Sequence, residues 1–170
     1  EELEERKEEV GKFLLEKYPK VKAVYSEKGK TEGKYRIQEK ELIAGEEGAE
    51  TIHKENNLKF KLDITKVFFS SRQNTERLRL SDKVKEGDTI CVLFSGIGAI
   101  PVYLSHYTNA RKITAIEINE AAHEYAKENL QLNKIDNVEL IRGDINEILP
   151  AMASEKKFHL IIMPLPKDAP

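Results

Sequence analysis

The pattern of apolar and polar positions divides the chain into two regions with different periods. Leu3, Val10, Phe13, Leu14 and Tyr18 fall at helical spacing over residues 2–17, and Pro19 stops the run, so an amphipathic helix is expected there. A strand-like stretch over 22–26 follows, then a turn at Lys28-Gly29-Lys30. A second run over 35–43 closes at Gly45 and the acidic turn Glu46-Glu47-Gly48. Residues 50–54 and 58–64 read as a hairpin around Glu55-Asn56-Asn57, with the second arm alternating Leu58, Phe60, Leu62 and Ile64. Near residue 86 the pattern changes. Strands over 89–94, 112–118, 138–142 and 158–163 now interleave with helices starting at Ala99 and spanning 121–132 and 145–149. Strands that alternate with helices predict an α/β fold with a parallel, doubly wound sheet. The expected organisation is a small α+β module over 1–69, a linker over 70–86 and the sheet domain over 87–170.

Composition narrows the classes. The 170 residues are 39% hydrophobic and 34% charged, a balance that folds around a core. No apolar run approaches the ~20 residues of a membrane span, and the chain opens on an acidic helix instead of a signal peptide, so a cytoplasmic location is expected. Cys91 is the single cysteine, which excludes an intramolecular disulfide and a cysteine zinc site; no metal is expected. The net charge is -2, but between Lys59 and Lys85 eight basic residues face three acidic ones, a local excess able to attract phosphates.

Four features fall at the carboxyl ends of successive expected strands, where an open α/β sheet binds ligands. The first is Phe94-Ser95-Gly96-Ile97-Gly98, whose glycines allow close backbone approach. The second is Glu117, followed by Ile118, about 20 residues on, at the distance where an acidic side chain meets ribose hydroxyls. The third is Gly143-Asp144, with Ile145 next, suited to an adenine edge. The fourth is Met163-Pro164-Leu165-Pro166, a stiff loop able to hold an acceptor. Taken singly, each has an ordinary structural explanation: a strand–helix turn, a solvated charge, a helix cap, an exit turn. In sequence order they point to a nucleoside cofactor. Pro101 stands where a Gly-x-Gly-x-x-Gly dinucleotide fingerprint needs its third glycine, and no Gly-Lys-Ser/Thr phosphate loop is present, so a cofactor without pyrophosphate fits better. S-adenosylmethionine (SAM) is the common one.

Longer stretches carry a resemblance. Glu32-Gly33-x-Tyr35-Arg36, Ala44-Gly45-Glu46, Thr51-Ile52-His53-Lys54-Glu55-Asn56, Phe60-x-Leu62-Asp63, Val67-Phe68-Phe69-Ser70, Thr75-Glu76-Arg77, the glycine loop, Ala115-Ile116-Glu117-Ile118-Asn119, Glu128-Asn129-x-x-Leu132-Asn133-Lys134 and Gly143-Asp144 resemble the tRNA (guanine-N1)-methyltransferases that modify position 37, beside the anticodon. The resemblance implies a Rossmann-like class I methyltransferase sheet behind a tRNA-binding module, with SAM as cofactor and the anticodon region of tRNA as partner. It also implies that Glu76 is the general base, that Arg36 stabilises O6 of guanine, and that Phe68 lies near the cofactor, at a position usually tyrosine. Residues 94–98, Glu117, Ile118, Gly143, Asp144, Ile145 and Pro164 would then bind SAM. Two positions depart from the family pattern: Val92 stands where an aspartate precedes the glycine loop, and Pro164-Leu165-Pro166 lacks the asparagine of the family's acceptor loop. Residue 170 falls just after the fourth strand, so a further chain segment or a partner is expected to complete the sheet. The same scaffold also suits aminocarboxypropyl transfer from SAM in wybutosine synthesis, or a non-catalytic RNA- or SAM-binding module.

Overall fold

The computed structural model describes residues 6–32, 37–153 and 156–164. Helix α1 (Lys7–Lys17) precedes strands β1 (Ala23–Glu32) and β2 (Ile37–Gly45), which pair antiparallel as a two-stranded sheet. The turn expected at 28–30 lies inside β1. Gly29 takes φ 68° there and the register shifts between Lys28 and Glu32, so the glycine makes a bulge and the strand continues. α1 lies on this sheet through Gly11, where a Cβ would stand 2.8 Å from Ala44 Cβ. Of the periodic apolar residues, Leu14 is half-buried, whereas Val10, Phe13 and Tyr18 are exposed.

Strands β3 (Glu50–Glu55) and β4 (Leu58–Asp63) form the expected hairpin. Glu55 pairs with Leu58 across a two-residue loop, and Asn56 and Asn57 take φ 45° and 60°, left-handed angles that asparagine tolerates. After it come a 3-10 turn (Ser71–Gln73) and helix α2 (Asn74–Ser81). The rest is β5 (Thr89–Leu93), α3 (Ala99–Tyr107), β6 (Lys112–Glu117), α4 (Glu120–Leu132), β7 (Val138–Arg142), α5 (Ile145–Ala153) and β8 (Leu160–Ile162). The four strands are parallel in the order β7-β6-β5-β8. Side chains alternate across the sheet. Ile90, Val92, Ile113 and Ala115 pack with Leu104 of α3, whereas Cys91, Leu93 and Ile116 pack with Met152 of α5. Both faces are covered, which explains why these strands are apolar throughout.

The hairpin shares its core with the helices of the parallel sheet. Leu58, Phe60 and Leu62 cluster with Val102 and Tyr103 of α3 and with Ala122, Tyr125 and Leu130 of α4. Two asparagines one helical turn apart bind the free edge of β4 to α4. Asn129, fully buried, accepts from Lys61 N–H at 2.6 Å and donates to the Lys61 carbonyl at 3.1 Å and the Ile97 carbonyl at 3.0 Å. Asn133 does the same for Lys59, at 2.9 and 2.7 Å. Their amides replace a missing neighbour strand, since an edge carries unpaired donors and acceptors. Asn129→Ala is expected to strand these backbone groups and lower stability by about 1–3 kcal/mol, read from the urea midpoint; an unchanged midpoint would mean that water replaces the amide.

Candidate functional site

Order β7-β6-β5-β8 places β5 at the switch point, since the chain crosses first to β6 and β7 on one side and then returns to β8 on the other. Open α/β sheets form a ligand crevice at such a point, outside the carboxyl ends of the strands. Residues 94–98 lie there. Phe94, the first residue past β5, takes φ 52°, a strained conformation for an aromatic residue. Gly96 and Gly98 follow at φ 55° and 79°. Gly98 is the N-cap of α3, packed so closely on α4 that a Cβ would lie 3.2 Å from Ala126 Cβ. Gly96 faces open space, its nearest neighbour the Phe68 carbonyl oxygen, 4.0 Å from where a Cβ would stand. Helix α3 begins with no side-chain cap, and Ser95 Oγ is buried without a hydrogen-bond partner. Open space at Gly96, an uncapped helix start and a buried hydroxyl without a protein partner among the described residues fit a polar ligand with a carboxylate at this loop.

Glu117 ends β6 beside it. Its two carboxylate oxygens accept from Gly96 N–H at 2.7 Å and Asn119 N–H at 2.8 Å. A carboxylate offers about four acceptor sites, so both oxygens keep capacity for a diol. Glu117 thus shapes the glycine loop as well as lining it. Ile118 is half-buried beside it. Gly143 N–H donates to the Glu117 carbonyl at 3.0 Å, which brings the β7 exit against the β6 exit. Asp144 Oδ1 accepts from Asn146 N–H at 3.0 Å and so caps α5, with Ile145 in the first helical position packed toward Leu93 and Ile116. Val92 is fully buried between the sheet and α3, so no polar side chain precedes the loop. Pro164 follows β8, half-buried; Leu165 and Pro166 lie outside the described residues, as does Arg36.

Between the β1–β2 sheet and the segment leading from β4 is a cavity of about 600 Å³. Tyr25, Glu27, Gln38 and Lys40 line one wall, and Ile64, Phe68 and Phe69 another. The Val67-Phe68-Phe69 segment therefore forms part of the cavity wall and also approaches Gly96. Alternation along β1 and β2 points Tyr25, Glu27, Gln38 and Lys40 to this side, a signal present in the sequence but unreadable without the pairing register.

Glu76 lies in the first turn of α2, half-exposed, gripped by Arg79 through two bonds at 2.7 and 2.6 Å. Arg79 holds its carboxyl below the usual range. The next residue, Arg77, points inward. It is 3% exposed and donates to Glu55 Oε1 from Nε at 3.0 Å and Nη2 at 2.5 Å. Tyr103 donates its hydroxyl to the same oxygen at 3.0 Å, Asn56 donates to the Tyr103 hydroxyl at 2.9 Å, and His53 Nε2 lies 3.0 Å from Glu55 Oε2. Four motif residues, His53, Glu55, Asn56 and Arg77, thus join Tyr103 in one network that fastens the hairpin and α2 to α3, while Glu76 stays exposed. Among the described residues no cluster of three or more His, Cys, Asp or Glu is placed to hold a metal.

Comparison with known proteins agrees with this architecture. The family described as the TRM5/TYW2 methyltransferase domain matches residues 51–170, and the TYW2 N-terminal domain matches residues 1–48. The Pyrococcus abyssi tRNA (guanine(37)-N(1))-methyltransferase Trm5b is 43% identical over 169 residues, 99% of this chain and 49% of that protein. A solved complex of aTrm5 and tRNALeu superposes with a TM-score of 0.83 at 36% identity, over 96% of this chain and 46% of the other. Methanocaldococcus jannaschii TYW2 in complex with AdoMet gives 0.59 at 36% identity, over 64% and 49%. The chain spans about half the length of the curated relatives it matches. It belongs to the TRM5/TYW2 methyltransferase family.

Proposed function

We propose, starting from that family membership, that this chain is the part of a tRNA methyltransferase that holds SAM and methylates N1 of guanosine 37. One observation carries the reading: residues 67–69 wall the cavity beside the β1–β2 sheet, and the Phe68 carbonyl of the same segment is the nearest neighbour of Gly96 in the glycine loop. A cofactor and a base can therefore be held on its two sides. The SAM-bound relative and the tRNA-bound relative support the cofactor and the substrate, respectively.

SAM, when bound, supplies an electrophilic methyl group on a positive sulfur. The chain's own residues do the rest. Glu117 would accept from the ribose hydroxyls, the start of α3 and Ser95 would meet the carboxylate end, and Phe94, Ile97, Ile118, Gly143, Asp144 and Ile145 would hold the adenosine. Phe68 and Pro164 flank the place of transfer. Guanine N1 carries a proton at neutral pH, so its lone pair is not available until a base removes it. Glu76 takes that proton, and Arg36 steadies the negative charge that builds on O6. No step needs a metal. We place the activity in the cytoplasm, on the anticodon region of tRNA; no described helix is long and apolar enough to cross a membrane. At the sheet edge β8 pairs only with β5 among the described residues and exposes Ile161, so further strands from the same polypeptide or a partner would complete the sheet there.

The test is mass spectrometry of tRNA nucleosides after incubation of the full-length protein with tRNA and SAM, expecting 1-methylguanosine. The TYW2-type match over residues 1–48 favours aminocarboxypropyl transfer as the second reading. SAM labelled separately in the methyl and carboxypropyl carbons tells the two apart by which label reaches tRNA. Glu117→Ala is expected to weaken SAM by about 10–100-fold through loss of charge-assisted bonds, measured by calorimetry; equal affinity would remove the ribose assignment.

A further inference from the structure

The first module carries a second surface, on the opposite side of its sheet from the cavity. Glu27, Gln38 and Lys40 line the cavity, whereas Glu41, one position along, turns to α1 and bonds Lys7. The outer side of α1 therefore faces away from the cavity. On it Phe13 is 57% exposed and Tyr18 49%, at the last turn of the helix and just beyond. Lys17 Nζ sits between them, 5.6 Å from the Phe13 ring centre and 5.7 Å from that of Tyr18. Lys12, Lys20 and Lys22 are exposed nearby. Between residues 12 and 22 the only acidic residue is Glu16; Glu46 adjoins the Lys22 end through its backbone N–H. Lys12, Lys17, Lys20 and Lys22 have no carboxylate partner among the described residues, whereas Lys7, Lys28 and Lys40 of the same module are paired. Lysines without a carboxylate partner can turn to an anion without breaking an ion pair, and the two exposed rings beside them offer faces on which a base can stack.

We infer that this face, formed by Lys12, Phe13, Lys17, Tyr18, Lys20 and Lys22, is an RNA-binding surface that takes unpaired nucleotides of the tRNA substrate, away from the modified base. Bases stack on Phe13 and Tyr18, and the lysines meet the phosphates between them. Every base has a π-face and every linkage a charge, so this pairing of rings with cations grips single-stranded RNA irrespective of sequence. An RNA strand brings a phosphate and a flat base in every unit, which matches lysines interleaved with rings. The inference rests on the tRNA reading above.

Binding of an unmodified tRNA transcript to the full-length protein, followed by fluorescence anisotropy across a salt series, tests it. Phe13→Ala with Tyr18→Ala is expected to weaken tRNA about ten-fold or more with the salt slope unchanged. Lys12, Lys17, Lys20 and Lys22, all replaced by Ala, should make the slope of log affinity against log salt shallower by about 2–3, since each phosphate contact contributes about 0.7–0.9. SAM affinity and thermal unfolding should stay constant in both. Unchanged tRNA affinity and slope in both variants, with the unaltered protein still methylating tRNA, overturns the surface and leaves the proposed activity standing. Normal tRNA affinity with a lowered unfolding temperature overturns it in favour of a protein segment on this face. If the unaltered protein binds tRNA through these residues but transfers nothing from SAM, the surface stands and the activity falls.

Discussion

Glu76→Ala is expected to lower turnover by about 10²–10⁴-fold while SAM affinity stays unchanged. Under the proposed activity the size follows from the acidity of guanine N1, whose proton must leave before its lone pair can attack. The carboxylate is not free in this structure: Arg79 occupies both oxygens from one turn along the helix. Such an exposed i,i+3 pair is worth little, so a guanine edge competes with it at small cost. Arg79 also sets the pH behaviour. It lowers the Glu76 pKa, so the carboxylate is ionised throughout the ordinary working range, and the base is lost only as pH falls through that depressed value. The rate should therefore hold on mild acidification, and Arg79→Ala should move the acid limb of kcat upward. Full turnover by Glu76→Ala would leave Glu76 with no more than its surface ion pair.

Glu55→Ala is expected to cost about 3–5 kcal/mol of folding stability, because it leaves the Arg77 guanidinium buried without its counter-charge. The side chains of Arg77 and Glu55 are 3% and 6% exposed, so water cannot take over. Phe69 and Tyr103 flank the guanidinium at 5.1 and 5.4 Å, and the Ser70 carbonyl accepts from it at 3.3 Å, but neither rings nor a carbonyl neutralises the charge. Replacing both Glu55 and Arg77 by apolar residues should cost far less than the single change, because no orphan charge remains. Chemical denaturation of the two variants measures this, and a loss below about 1 kcal/mol for Glu55→Ala would show that the cavity hydrates. Since Arg77 anchors α2 from inside, Glu55→Ala should also lower turnover by loosening the aim of Glu76.

These two residues show where reading the sequence stops. Glu76 and Arg77 are neighbours in a motif that resemblance ties to catalysis, yet nothing in the letters says which turns inward. On a helix consecutive side chains diverge by about 100°, and burial alone selects Arg77 for the core. Asn129 and Asn133 likewise stand out as a helical i,i+4 pair, but their target, the backbone of β4, lies some seventy residues earlier and is visible only when the hairpin docks. In α1 the periodicity named a helix, but the letters did not say that Gly11 would make the close contact with Ala44 while Val10, Phe13 and Tyr18 stayed exposed.

The linear order of residues determined the sheet class and most local elements, though not helix α2, which lies inside the expected linker. A period of two or of 3.6, an asparagine pair at a turn and glycines after a strand act over a few bonds, where steric and solvation preferences need no distant partner. It also determined which loops reach the crevice, since parallel strands send every exit to the same end. Tertiary structure decided what long-range pairing controls: the hairpin on α3 and α4, the buried Glu55–Arg77 charge pair, the approach of residues 67–69 to both the cavity and Gly96, and the lysines and rings left outside on α1. Burial, charge neutralisation and register depend on residues dozens of positions apart, and only the folded chain brings them within reach of one another.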